Sequence, residues 1–130
     1  SKIEFLLKNK IKYFLPFLAM IIIIIFLSNE MQLPNFDEIF IGFDKVVHII
    51  FYFLIGISIQ IMILGVFPKK PDKIIIILTL IIGLTIGTID EIIQSFMPLR
   101  FSDIKDFIAD FIGLSFSIFI YKIIKKILKS

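Results

Sequence analysis

His48 is the only histidine in the chain, and Asp44 and Tyr52 stand one turn to either side of it on a helix. A carboxylate beside an imidazole orients the ring and favours its charged form, so the trio suits a general acid or base. A lone histidine among apolar residues equally serves as a hydrogen-bond partner between membrane helices. Farther along, "DEIIQSFMPLRFSDIKDFIADFIG", Asp90 to Gly113, sets five carboxylates and two basic side chains between runs of isoleucine, leucine and phenylalanine. Glu91, Asp106 and Asp110 together with His48 suit either an acid/base set or a divalent cation held by oxygens and one imidazole, although no tight signature such as H-E-x-x-H is present. Lys45 and Arg100 suit an anionic phosphate or pyrophosphate headgroup, with Arg100 offering a two-pronged guanidinium; the competing reading is that they neutralise Asp44, Asp103 and Asp106. Ser58, Thr85, Thr88 and Ser95 have no base at a fixed spacing and are expected to bond helix carbonyls rather than act as nucleophiles.

The elements that must position these groups are written in the hydropathy. Of 130 residues 58% are apolar, and the mean hydropathy is +1.03. Soluble domains sit nearer half apolar and carry more charge, whereas here uninterrupted apolar runs reach the roughly 20 helical residues that cross a ~30 Å hydrocarbon core. The chain therefore reads as an integral membrane protein. The absence of cysteine excludes disulfides, thiol catalysis and thiolate metal sites. The net charge of +3 comes from lysines beside hydrophobic runs, with no basic face alternating with aromatics, so the expected partner is the bilayer and not nucleic acid.

Four hydrophobic segments, about 11–27, 46–67, 74–97 and 104–121, predict one domain: an all-α bundle of four transmembrane helices. The runs are too long for strands and lack the alternation of a membrane barrel. The first segment has the basic flank of a signal peptide, but no small-x-small cleavage site follows it, and it is expected to stay as an anchor. "FPKKPDK" and "MPLRFS" read as proline-marked turns, with Ser102 or Asp103 as N-cap of the last helix. Of the 14 basic residues, 11 lie in the N-terminal flank, the second loop (Lys69, Lys70, Lys73) and the C-terminal tail, which with four spans share one side; the positive-inside rule makes that side cytoplasmic, with both termini. Lys45, Arg100 and Lys105 fall on the other side with most of the acids.

Depth and face follow from counting. Segment three runs uncharged for about 24 Å of rise before Asp90 and Glu91, which puts them roughly 6 Å below the outer edge; His48 lies about 6 Å inward of Asp44. Segment four is too short beyond Asp110 to span alone, so Asp106 and Asp110 are drawn into its outer turns. Segment two carries the stripe Asp44, His48, Tyr52, Gly56, Gln60; segment three carries Gly83, Gly87, Glu91, Gln94; segment four carries Asp103, Asp106, Asp110, Gly113, Ser117. The simplest arrangement points all three at one outward-opening pocket, with the glycines permitting close helix contact.

"DKVVHIIFYFLIG" followed by "GTIDEIIQSFMPLRFSDIKDFIADFIG" resembles the VanZ-like family, whose members carry D-K-x-x-H early in the second helix, then E-x-x-Q, a proline and an arginine, and D-x-x-x-N/D-x-x-G entering the last. The matching positions are Asp44, Lys45, His48, Tyr52, Glu91, Gln94, Pro98, Arg100, Asp106, Asp110 and Gly113. This chain departs from the pattern with "PLR" where Pro-Gly-Arg is frequent and with Asp110 where Asn is frequent. The resemblance implies a small multi-pass protein of the bacterial cell membrane, with a founding member linked to resistance to the glycopeptide teicoplanin. On that basis the expected site has Lys45, Arg100, Tyr52 and Gln94 binding a lipid or lipid-linked envelope precursor. His48, oriented by Asp44, moves a proton, and Glu91, Asp106 and Asp110 complete an acid/base set or a divalent-cation site. The competing classes are a non-enzymatic module that alters glycopeptide or partner binding at the surface, and a proton-linked transporter; the lack of an inverted repeat or broken-helix pair speaks against the transporter.

Overall fold

The computed structural model describes residues 4, 9–29, 43–96 and 104–129, with side chains described at 4, 9–26, 45–96 and 104–129. These residues are helical with no strand among them. A short 3-10 turn, Ile11–Tyr13, leads into α1 (Leu15–Asn29); α2 (Phe43–Val66), α3 (Asp72–Ser95), α4 (Ile104–Phe119) and α5 (Tyr121–Lys129) follow. At about 1.5 Å per residue, α2 and α3 are each about 36 Å long. Both are long and apolar enough to cross a membrane, and α4 with α5 makes a third such span if the pair is one element bent by 48°. The apolar helix over Ile11–Phe26 is shorter.

That bend departs from the single straight segment expected over 104–121, and from the expectation of no broken helix. No glycine or proline marks it. It coincides with the onset of lysines, and the side chains show what it achieves: the Tyr121 hydroxyl donates to Asp72 Oδ1 at 2.7 Å, and Lys125 Nζ reaches the same oxygen at 2.5 Å. Asp72 thus ties α5 to the first turn of α3, where an acidic residue also suits the helix dipole. At the same end Lys10 Nζ donates to Val66 O at 2.7 Å, satisfying a carbonyl that α2 leaves open at its C-terminus. The expected gathering of basic segments at one end is therefore visible in the contacts of Lys10 with α2 and of α5 with α3.

The partitioning of side chains is inverted relative to a soluble protein. Ile22, Phe26, Ile50, Ile81, Ile92 and Phe116 are exposed, while Ser58, Gln60, Thr79, Asp90, Gln94, Asp106, Asp110 and Ser117 are buried. An apolar exterior around a polar interior is stable only where the surrounding solvent is itself apolar. The expected hydroxyl roles hold: Ser58, Thr85, Thr88 and Ser95 donate to Ile55 O, Ile81 O, Leu84 O and Ile92 O at 2.6–2.9 Å.

Small residues decide the helix order. Gly56 on α2 packs against Ser117 on α4, and Gly113 on α4 packs against Ile49 and Phe53 on α2, so those two helices run parallel. Gly83 and Gly87 on α3 meet Leu114 and Asp110, so α3 runs antiparallel beside them. Leu114, Ile55, Ile59 and Ile75 fill the space between the three.

Candidate functional site

Gly113 sets the geometry from which the site is built. A β-carbon there would run into Ile49 O and lie 2.9 Å from Phe53 N, so α4 approaches the main chain of α2 more closely than any side chain allows. One turn toward the acidic end, that approach brings Asp110 Oδ1 to 2.8 Å from His48 Nδ1. One turn further, the Lys45 ammonium pairs with Asp106 Oδ1. Asp106 Oδ2 lies 4.0 Å from His48 Nε2, so the imidazole sits between two carboxylates of α4. The Asp110 side chain is completely buried.

The third wall is α3. Asp110 Oδ2 lies 3.1 Å from the point where a β-carbon of Gly87 would stand, and Tyr52 Cε1 lies 3.5 Å from it, so the missing side chain at position 87 makes the room these two groups occupy. The Tyr52 ring is parallel to the His48 ring with centroids 6.4 Å apart, as one turn of spacing dictates. Tyr52 Oη and Asp110 Oδ2 are both buried without a hydrogen-bond partner. Glu91, half-buried, brings a carboxylate oxygen into a group with one His48 ring nitrogen and one Asp110 oxygen, all within 4.8 Å of one another.

The structure therefore brings together His48, Glu91, Asp106, Asp110, Lys45 and Tyr52. Gln94 is turned onto its own helix, donating through Nε2 to Asp90 Oδ2 at 3.2 Å. Arg100 and the side chain of Asp44 lie outside the described residues. Among described side chains the carboxylate that orients His48 is Asp110, a role the sequence reading assigned to Asp44.

Asp90 was not among the expected site residues, yet it lies in the buried stripe of α3: Thr79, Gly83, Gly87, Asp90, Gln94. Strict fourfold spacing turns about 40° per step away from one face, because 3.6 residues make a turn. After the two steps of four from Thr79 to Gly87, a step of three turns back about 60° and restores the face, so Asp90 is buried more deeply than Glu91. That alternation was the readable signal.

Comparison with known proteins places this geometry in a family context. A family model described as VanZ/LLP1 matches residues 6–125. No curated protein matches significantly, and no solved structure does.

Proposed function

The chain belongs to the VanZ/LLP1 family, and from that premise we propose that it is a four-span protein of the bacterial cell membrane whose acidic end binds or acts on a lipid or lipid-linked envelope molecule. In this reading both termini are cytoplasmic and the acidic end faces the extracytoplasmic side.

One observation carries the reading: three helices with apolar exteriors converge His48, Glu91, Asp106 and Asp110 at one end, beneath a partly exposed Lys45. A charge placed inside a bilayer costs about 2.5–3.5 kcal/mol near the centre and less near the interface, while each Ile or Leu of α3 returns about 0.5 kcal/mol. The helices insert despite these groups and gain nothing from them individually, which is the situation in which a binding or proton-handling role is expected.

The residues divide the work. A carboxylate at His48 Nδ1 holds the proton on that nitrogen and leaves Nε2, on the Asp106 side, to accept or donate one. Lys45, paired with Asp106 and partly exposed at the mouth, carries the charge that suits an anionic headgroup; Arg100 is the second proposed cation. Changing the envelope molecule or sequestering it would lower surface binding of teicoplanin.

The test is native mass spectrometry of the detergent-purified chain. The parent is expected to retain an anionic amphiphile that Lys45→Ala with Arg100→Ala loses. In cells, His48→Ala and Glu91→Ala are expected to abolish any glycopeptide tolerance while membrane insertion is kept. Equal lipid retention and normal tolerance in these variants would overturn the proposal.

A second reading draws on the same pairs. Lys45 with Asp106 and His48 with Asp110 join α2 to α4, which also serves a non-enzymatic module whose polar groups lock the bundle. Under that reading Glu91→Gln, which keeps shape and hydrogen bonding, leaves function intact. A proton-linked transporter fits less well: the one sharp bend between helices among the described residues lies at Ile120, about 15 Å of helix away from Asp110.

A further inference from the structure

We propose that His48, Glu91 and Asp110 hold one divalent first-row transition-metal ion, with Asp106 and Lys45 outside its coordination shell. The three donors come from three different helices and lie within 4.8 Å of one another. Two ligands each about 2.1 Å from one ion stand about 3.0 Å apart at a right angle and about 3.4 Å apart at the tetrahedral angle. His48 Nδ1 and Asp110 Oδ1, 2.8 Å apart, need to part by only a few tenths of an ångström to hold an ion in place of the proton they share without it.

A second observation points into the same space. Asp110 is fully buried, and its Oδ2 has no hydrogen-bond partner. A buried carboxylate oxygen left unsatisfied keeps its full desolvation cost, and a cation removes that cost. The space is kept open by Gly87, because a β-carbon there would crowd that oxygen at 3.1 Å.

The donor set selects the ion. One imidazole and two carboxylates with no sulfur suit Zn²⁺ or Mn²⁺ better than the softer Cu⁺. Three protein ligands leave at least one coordination position open, as in metal sites that bind or activate a further ligand rather than merely brace the fold. Resting on the function proposed above, that position takes a phosphate oxygen of the headgroup, and the metal acts as its anchor.

The test uses the full chain in detergent, stripped with chelator and freed of retained lipid, and titrated with Co²⁺ as a visible probe. The expected result is one equivalent per chain, with d–d absorption bands that Zn²⁺ abolishes by displacement. His48→Gln, Glu91→Gln and Asp110→Asn are each expected to weaken binding at least tenfold, while Asp72→Asn at the opposite end leaves it unchanged. Should a variant fail to fold, the parent decides alone: Zn²⁺ or Mn²⁺ should raise its melting temperature and chelator should reverse the rise. No stoichiometric binding by the parent, or equal binding by all three variants, overturns the metal site. Lipid retention is measured separately, so failure of the headgroup reading is distinguishable from failure of this one.

Discussion

Asp110 on α4 and His48 on α2 meet at 2.8 Å across two parallel helices, and they do so because Gly113, one turn away, lets the helices touch through their main chains. The site and the packing that creates it are thus separable by mutation.

Gly113→Ala adds a β-carbon between Ile49 O and Phe53 N, where the nearest neighbours are backbone and do not yield. The expected cost is about 1–3 kcal/mol of overpacking. Thermal unfolding in detergent measures it. Gly87→Ala should cost less, because its nearest neighbour is a side-chain oxygen at 3.1 Å.

Asp110→Leu removes the carboxylate that holds His48 Nδ1 and costs the bundle that contact, for an expected loss of about 1–3 kcal/mol. Asp110→Asn retains a hydrogen-bonding group and should recover most of that loss. Comparing the two melting temperatures separates the structural role of the contact from charge at position 110, and equal destabilisation by both would refute the distinction.

Gln60→Leu should raise stability. Gln60 is fully buried on α2, and neither its Nε2 nor its Oε1 has a hydrogen-bond partner. Replacing an unsatisfied amide by an apolar side chain of similar size removes a desolvation cost of about 1 kcal/mol or more. A lower melting temperature in this variant would show that the amide is satisfied within the bundle.

Tyr121→Phe breaks the hydrogen bond to Asp72 without disturbing α2, α3 or the upper part of α4. Hydrogen exchange is expected to rise in the α5 amides alone, with the melting temperature scarcely changed, because the buried Tyr121 ring stays packed and the exposed Asp72 keeps Lys125 as a partner. Faster exchange spreading to α3 would mean that α5 braces the whole bundle.

The apolar runs were decisive on their own. Their length required helices in a bilayer, since a backbone in lipid must satisfy itself, and the stripes Tyr52, Gly56, Gln60 and Asp106, Asp110, Gly113, Ser117 identified the buried faces of α2 and α4. The convergence of His48, Glu91, Asp106 and Asp110 was also legible, because turn-by-turn counting places groups at a common depth. Counting along one helix says nothing about the offset between two. Tertiary packing alone decided that α2 and α4 run parallel in contact through Gly113, that His48 faces Asp110, and that α4 bends into α5 where Tyr121 can reach Asp72. The reason is physical. Hydrophobic periodicity is a property of a single helix, whereas register and bend angle are set by which small residues let two particular backbones approach, and that information appears only when both surfaces are present.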